Sequence, residues 1–381
     1  MKQIYYILII SFSFVFSQPS IEGVNGSTSH AGILTIQGAG FGVKSTASPV
    51  KYDDFELGAP GKSLADGDWL ISTNKGFDPV YSQKITRPNS AVSAQSHTQD
   101  APTGDNYQYR CAFGIGNPDG IKEIYINFWW YYDGPPNSPG CVKFVRLYPN
   151  PTSPYSGPPN TYIDFDCDPY SGLLNSDDIT SADGHNSKWI GQAWDWTRAR
   201  GHWQHVQFYF KASDIGQENG TAKMWVGNGD APIQQVLNEE DNLLTRTPAN
   251  PALWHSFWIG NYLSILGSEG CNGHNCEQPN EMVSIFYDNV YIDYSQARVE
   301  IGDNPVYSNC KHTEIQTPTT WAVNSVDVRL NQGSFSAGET VYLYVVDSEG
   351  LVNSDGFPIV LNTSSTTKPE APKGLEILKE N

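Results

Sequence analysis

The 381-residue chain carries a formal net charge of −18, which argues against nucleic acid or an anionic membrane surface as its partner. Its 35 Gly, 25 Pro, 21 Tyr and 11 Trp come without sustained helical periodicity and point to an all-β protein rich in turns. The length is enough for two domains, each with its own core.

Residues 1–17 read as an export signal. Lys2 supplies the charged start, Ile4 to Phe16 the apolar run, and Val15-Phe16-Ser17 the compact residues that a signal peptidase reads. The run is shorter than the about 20 residues that a spanning helix needs. The mature chain is expected to begin near Gln18 and to be secreted, as an extracellular or cell-surface protein without membrane insertion.

Ile21-Glu22-Gly23-Val24 then reads as a short strand. Gly32 to Ala39 reads as an alternating strand that ends in the glycine-rich corner Gly38-Ala39-Gly40-Phe41-Gly42. That corner follows a strand but opens no helix, so it is a turn and not a phosphate loop. Strand-like runs follow from Tyr52 to Glu56, Glu123 to Tyr132, Val142 to Leu147 and Thr161 to Cys167. Others run from His202 to Lys211, Ala222 to Val226, Trp254 to Tyr262 and Ile285 to Asp293. Val326 to Leu330 and Val341 to Val346 are the last clear strands, with Asp347-Ser348-Glu349-Gly350 as the closing turn. Residues 363–381 read as a tail or linker.

The corner at 38–42, taken with Trp321, Val326 to Leu330, Gly333, Gly338 and Val341 to Val346, resembles the two halves of an IPT/TIG-type immunoglobulin-like domain. Neither half has enough strands to close a sandwich. The expected organisation is therefore one immunoglobulin-like domain from 18–50 and 298–362, split by an inserted domain at 51–297. The order of a tryptophan-led strand at His202 to Lys211, a turn, the strand Ala222 to Val226 and the closing Asp288-Asn289-Val290-Tyr291-Ile292-Asp293 resembles concanavalin A-like jelly rolls of the lectin, LamG and polysaccharide-lyase type. The fold class implied is an all-β jelly-roll sandwich inserted into a split β-sandwich.

All six cysteines lie in the exported part, where disulfides are allowed. Cys271 and Cys276 bracket a short loop and are expected to pair; His274 between them raises a metal reading that lacks a fourth ligand. Cys111, Cys141, Cys167 and Cys310 allow three pairings, which stay open.

Strand alternation places Trp203, His205, Gln207, Tyr209 and Lys211 on one face, and Phe144, Arg146 and Tyr148 on one face of the strand from Lys143. Tyr162 and Asp164 alternate similarly. Flat rings with polar tips suit a pyranose, so these residues suggest a sugar-binding concave sheet; the alternative is a solvated outer face. Trp203, Gln207, Tyr148, Tyr162 and Asp164 are the expected ligand contacts. Were the face catalytic, β-elimination fits its residues. Arg146 or Lys211 would neutralise a uronate, His205 remove the C5 proton, and Tyr209 or Tyr148 protonate the leaving oxygen. No paired-carboxylate run marks a glycoside hydrolase.

Asp53, Asp54 and Glu56 on the opening strand and Asp288 and Asp293 on the closing one could meet at a sheet edge. Hard oxygen ligands there would suit a structural Ca²⁺; the alternative is strand-end carboxylates bonded to backbone. No catalytic cofactor is expected. The leading expectation is recognition of an extracellular polysaccharide, followed by a polysaccharide lyase and by a structural cell-surface or fibre module. The sequence leaves open which glycan is bound and how the chain assembles.

Overall fold

The computed structural model describes residues 18–74, 77–97, 107–134, 142–152, 160–165, 172–177, 186–191, 200–265 and 284–362. The export signal, the Cys271–Cys276 loop, Cys141, Cys167 and the tail lie outside the described residues. The chain is all-β, as expected, and no helix among the described residues is long and apolar enough to cross a membrane.

Strands β1 (Ser20–Gly26) and β2 (Ile33–Ala39) come first, followed by β3 (Lys51–Asp53), β4 (Leu70–Asn74), β5 (Val80–Ser82) and β6 (Ser93–His97). The middle of the chain supplies β7 (Tyr107–Ile121), β8 (Glu123–Asp133), β9 (Val142–Tyr148), β10 (Asn160–Phe165), β11 (Gly172–Asp177) and β12 (Asn186–Gly191). After these come β13 (Gln204–Lys211), β14 (Gly220–Gly227), β15 (Gln234–Leu243), β16 (Trp254–Ile265) and β17 (Ser284–Asp293). The last are β18 (Arg298–Gly302), β19 (Thr313–Ala322), β20 (Ser325–Arg329), β21 (Thr340–Val346) and β22 (Phe357–Val360).

Two sheets make a sandwich from the middle of the chain. An eight-stranded sheet runs β15-β14-β13-β8-β17-β6-β5 with β3 paired to β17, and a seven-stranded sheet runs β12-β11-β10-β9-β16-β7-β4. Alternate residues of β8 (Ile124, Ile126, Phe128, Trp130) and β13 (Val206, Phe208, Phe210) pack against Phe113, Leu147 and Phe257 from the facing sheet. Each such side chain contributes roughly 1.5–3 kcal/mol by leaving water.

The two ends of the chain share a third sheet, β1-β2-β20-β19-β18-β21-β22. Strand β19 bends it into two layers: Thr313 to Gln316 pair with β18, and Thr317 to Ala322 pair with β20. Between the layers Leu34 and Ile36 of β2 meet Val326 and Val328 of β20, Val299 and Ile301 of β18, and Val341, Leu343 and Val345 of β21. The early strands thus bury their apolar side only once the late ones are present. The corner after β2 is built by Gly40 and Gly42 at φ 73° and 72°, which side chains rarely adopt, and it drops Phe41 fully buried into this core.

Candidate functional site

The outer face of the eight-stranded sheet is a packed seam. All ten residues of β17 and seven of the eight in β13 are buried, so both faces of these strands are covered. Tyr125, Tyr209 and Tyr291 pack on that outer face against Ile315 of β19, with Tyr52 and Trp225 alongside. The Tyr125 hydroxyl donates to Gln207 Oε1 at 2.9 Å. Trp129 stacks on His205 with ring centroids 4.7 Å apart and 11° between planes, and the Arg87 guanidinium lies 4.1 Å from the Trp129 centroid.

Three buried ion pairs join this seam. Arg87 forks onto Glu314, which also holds His312 Nε2 at 2.7 Å and accepts from the Ser334 amide at 3.0 Å. Lys44 reaches Asp293 at 2.6 Å, and Arg298 pairs with Glu300 while lying over the Tyr125 ring at 4.4 Å. Burial pushes the Glu314 carboxyl upward, but Arg87 and His312 outweigh it and hold Glu314 well below the usual carboxylate range. His205 is 2 % exposed, and burial drives its imidazole down to about 3, with Glu314 opposing only in part. A ring this dry stays neutral at physiological pH.

These facts correct the expectation for His205, Gln207 and Tyr209. They occupy an interface, with no open side from which a polymer could reach them. Tyr209 is 5 % exposed and bonded to Glu123, which together with burial raises its hydroxyl far above the ordinary range. Trp203 precedes β13, half-buried, with its indole N–H donating to the Thr86 carbonyl at 3.3 Å. Lys211 sits at the end of β13, 4.0 Å from Asp241. The expected lyase quartet is divided as well: His205, Tyr209 and Lys211 belong to the eight-stranded sheet and Arg146 to the seven-stranded one.

The calcium ligands do not converge either. Asp53 accepts from the Phe55 amide at 2.8 Å and from the Trp69 indole at 2.7 Å. Asp54 accepts from the Glu56 amide, and Glu56 from the amides of Ala91 and Val92. Asp288 is fully buried, accepts from the Asn289 amide at 2.7 Å, and is raised by burial to about 7. Asp293 is taken by Lys44 and Tyr291. Among the described residues no group of three or more His, Cys, Asp or Glu is placed to hold a metal ion. Strand-end carboxylates bonded to backbone and neighbours describe them. Cys111 and Cys310 are buried free thiols.

The opposite face of the sandwich is different. Register carries one row of the seven-stranded sheet through Ser187, Asn175, Tyr162, Arg146, Trp258, Gly114 and Leu70. Row neighbours on one face of a sheet lie close enough to interact. Arg146 is half-buried, and its guanidinium lies 4.4 Å over the Tyr148 ring, two residues along the same strand. Tyr148 and Trp258 form a small cluster with Ala112 and Leu70 outside the main core, itself buried, and the Trp258 indole donates to Ser256 Oγ at 2.9 Å.

Two irregularities defeated simple alternation here. A register shift near Ile163 and Asp164 puts Phe144 into the core beside Val145 and Leu147, instead of beside Arg146 and Tyr148. Another between Trp254 and Ser256 sends Trp254 to the core and Trp258 to the outer face. Trp258, Arg87, Trp129, His312 and Glu314 were not anticipated. The Trp-x-x-x-Trp spacing of β16 was the one visible cue to Trp258.

No protein-family model matches the chain, and no curated protein matches it. Solved structures do. An endo-β-1,4-glucuronan lyase from the fungus Trichoderma reesei is 14% identical over 65% of this chain and 95% of that chain, with a TM-score of 0.43. A PL-14 alginate lyase from Aplysia kurodai is 13% identical over 65% and 99%, with a TM-score of 0.45. A β-1,3-1,4-glucanase derived from a mouse hindgut metagenome is 15% identical over 64% and 98%, with a TM-score of 0.33.

Proposed function

We propose that the chain is a secreted glycan-recognition protein that meets an extracellular polysaccharide on the outer face of its seven-stranded sheet. In this reading the middle sandwich is a concanavalin A-like jelly roll, and the two chain ends form an IPT/TIG-type immunoglobulin-like unit around it. The observation that carries the reading is the backbone register that aligns Asn175, Tyr162, Arg146 and Trp258, with Arg146 and Trp258 on the side opposite the seam. The side-chain contacts of the second unit fall on the eight-stranded sheet; in the row itself Trp258 is buried and Arg146 half-buried. Arg146, held over Tyr148, offers a planar fork of donors that matches a carboxylate. A uronate-bearing polymer is the ligand class it fits, and a local guanidinium answers the acidic charge of the whole chain.

A second reading, β-elimination on the same row, is favoured by one detail: Tyr162 stands directly across the strands from Arg146. A lyase needs a cation to neutralise the uronate and a phenol to move a proton. Both readings are tested by incubating the mature protein with neutral and uronate-containing polysaccharides while following retention, polymer length and unsaturated-uronate absorbance. Retention without absorbance supports recognition; absorbance with shortening chains supports elimination. Neither signal, or retention unchanged in Arg146→Ala, removes this face from consideration.

A further inference from the structure

A cavity of about 440 Å³ opens where the two units meet, and the glycan face makes no use of it. Its lining includes Asp54, Glu56 and Asn89 from the sandwich and His30 and Gln332 from the second unit. The hydrogen-bond inventory of these side chains is one-sided. The Asn89 amide nitrogen donates to the carbonyls of Gly333 at 2.9 Å and Phe335 at 3.0 Å. Because both partners are carbonyls, the amide orientation is fixed and Oδ1 is the atom left over. Gln332 Nε2 donates likewise to Phe335 at 2.6 Å. Asp54 Oδ1 and Glu56 Oε1 are held by the backbone amides described above. Among the described residues, Asp54 Oδ2, Glu56 Oε2, Asn89 Oδ1 and Gln332 Oε1 take no protein hydrogen bond and are open to the solvent that fills the cavity, with Glu56, Asn89 and His30 exposed. His30 Nδ1 accepts from the Gln332 amide at 3.3 Å, which leaves the proton of the neutral ring on Nε2.

We infer that this cavity binds a hydroxyl-rich primary amine, an amino-sugar unit carrying a free ammonium group. An ammonium has three donors and no acceptor, so it suits a pair of carboxylate oxygens, while hydroxyls meet the two amide oxygens and the His30 N–H. A uronate would face two like charges and be rejected. The volume lies within the range of small-molecule sites. The preference is thus opposite to that of the Arg146 face, and the two sites are independent.

The test is calorimetric titration of the mature full-length protein with glucosamine, N-acetylglucosamine, glucuronate and calcium chloride alone. Glucosamine is expected to bind, N-acetylglucosamine roughly tenfold or more weaker, and glucuronate not at all. Glu56→Gln and Asp54→Asn keep the oxygen that holds the backbone and change only the unengaged one. Each should weaken glucosamine about tenfold with no change in unfolding midpoint. Arg146→Ala should leave this binding untouched, which separates it from the glycan face. Absence of glucosamine binding, equal binding of glucuronate, or a calcium signal lost in Glu56→Gln without any amine binding would each overturn the inference.

Discussion

The two outer faces of the middle sandwich are written in similar residues and end in different fates. One presents Tyr125, Asn127 and Trp129 beside His205, Gln207 and Tyr209; the other presents Arg146 and Tyr148 beside Trp258, with Tyr162 in the same row. The first is sealed under β18 and β19; on the second Tyr148 and Trp258 are buried as well, and Arg146 is half-buried. Amphipathic aromatics with polar tips serve either purpose, because both a sugar and a protein surface offer flat apolar patches ringed by hydrogen-bonding groups. The first face also carries buried charge pairs. The sealed face meets its opposites within the chain, as in Arg87 with Glu314, Lys44 with Asp293 and Arg298 with Glu300.

The sharpest way to break this contrast is at Glu314. Removing it strands Arg87 in a dry seam and unseats His312, and breaking one half of a buried pair typically costs 3–5 kcal/mol, roughly. Glu314→Ala should therefore lower the urea midpoint by that amount. A loss below about 0.5 kcal/mol would mean that the seam is wet and the faces less different than described. Arg146→Ala is the counterpart on the other face. It should reduce retention on a uronate polymer by roughly ten- to a hundredfold, the worth of a charge-assisted contact, with little change in the urea midpoint.

His205→Phe sharpens the same comparison from the sealed side. A phenyl ring keeps the stack on Trp129 and removes two ring nitrogens that find no hydrogen-bond partner. The expected result is unchanged glycan retention and equal or higher stability. A variant that folds normally but loses retention would return His205 to the functional face.

Much of the architecture was legible because it rests on period-two alternation and glycine corners. The strands around 123–132, 204–211 and 285–293 fall where their β-branched and aromatic residues put them, and the Gly38 to Gly42 corner turns the chain as read. The partition of the faces was not. His205 and Arg146 each sit in an alternating strand, and no local pattern says which sheet a strand joins or what covers its far side. The acidic clusters misled for a related reason. Asp53 hydrogen-bonds to the Phe55 amide and the Trp69 indole, and Glu56 to the distant amides of Ala91 and Val92, a use of carboxylates that composition cannot tell from metal ligation. The bulge that moved Phe144 inward lacks any Gly or Pro to announce it, whereas the one beside Trp254 is marked on the paired strand by Pro118 and Gly120.

The smallest effect, and the most particular to the seam, is in the pH dependence of stability. His205 is depressed to about 3 in the fold from an ordinary 6.5, so between those values the unfolded chain binds the extra proton and stability rises with pH. Asp288 is raised to about 7 from 3.8, so between those values the folded chain holds the extra proton and stability falls as pH rises. The windows overlap between about pH 4 and 6.5, and the two slopes oppose each other there. In the wild type these two contributions should largely offset each other in that range, before the loss of Glu314 ionisation erodes stability at lower pH. Substituting either partner exposes the other. In Asp288→Asn stability should climb from pH 4 to 6.5, and in His205→Phe it should decline over the same interval. Urea titrations at half-unit steps would show it. Parallel curves for both variants and wild type would mean that neither group is as dry as the seam requires, and that this face of the sheet is more open than its burial indicates.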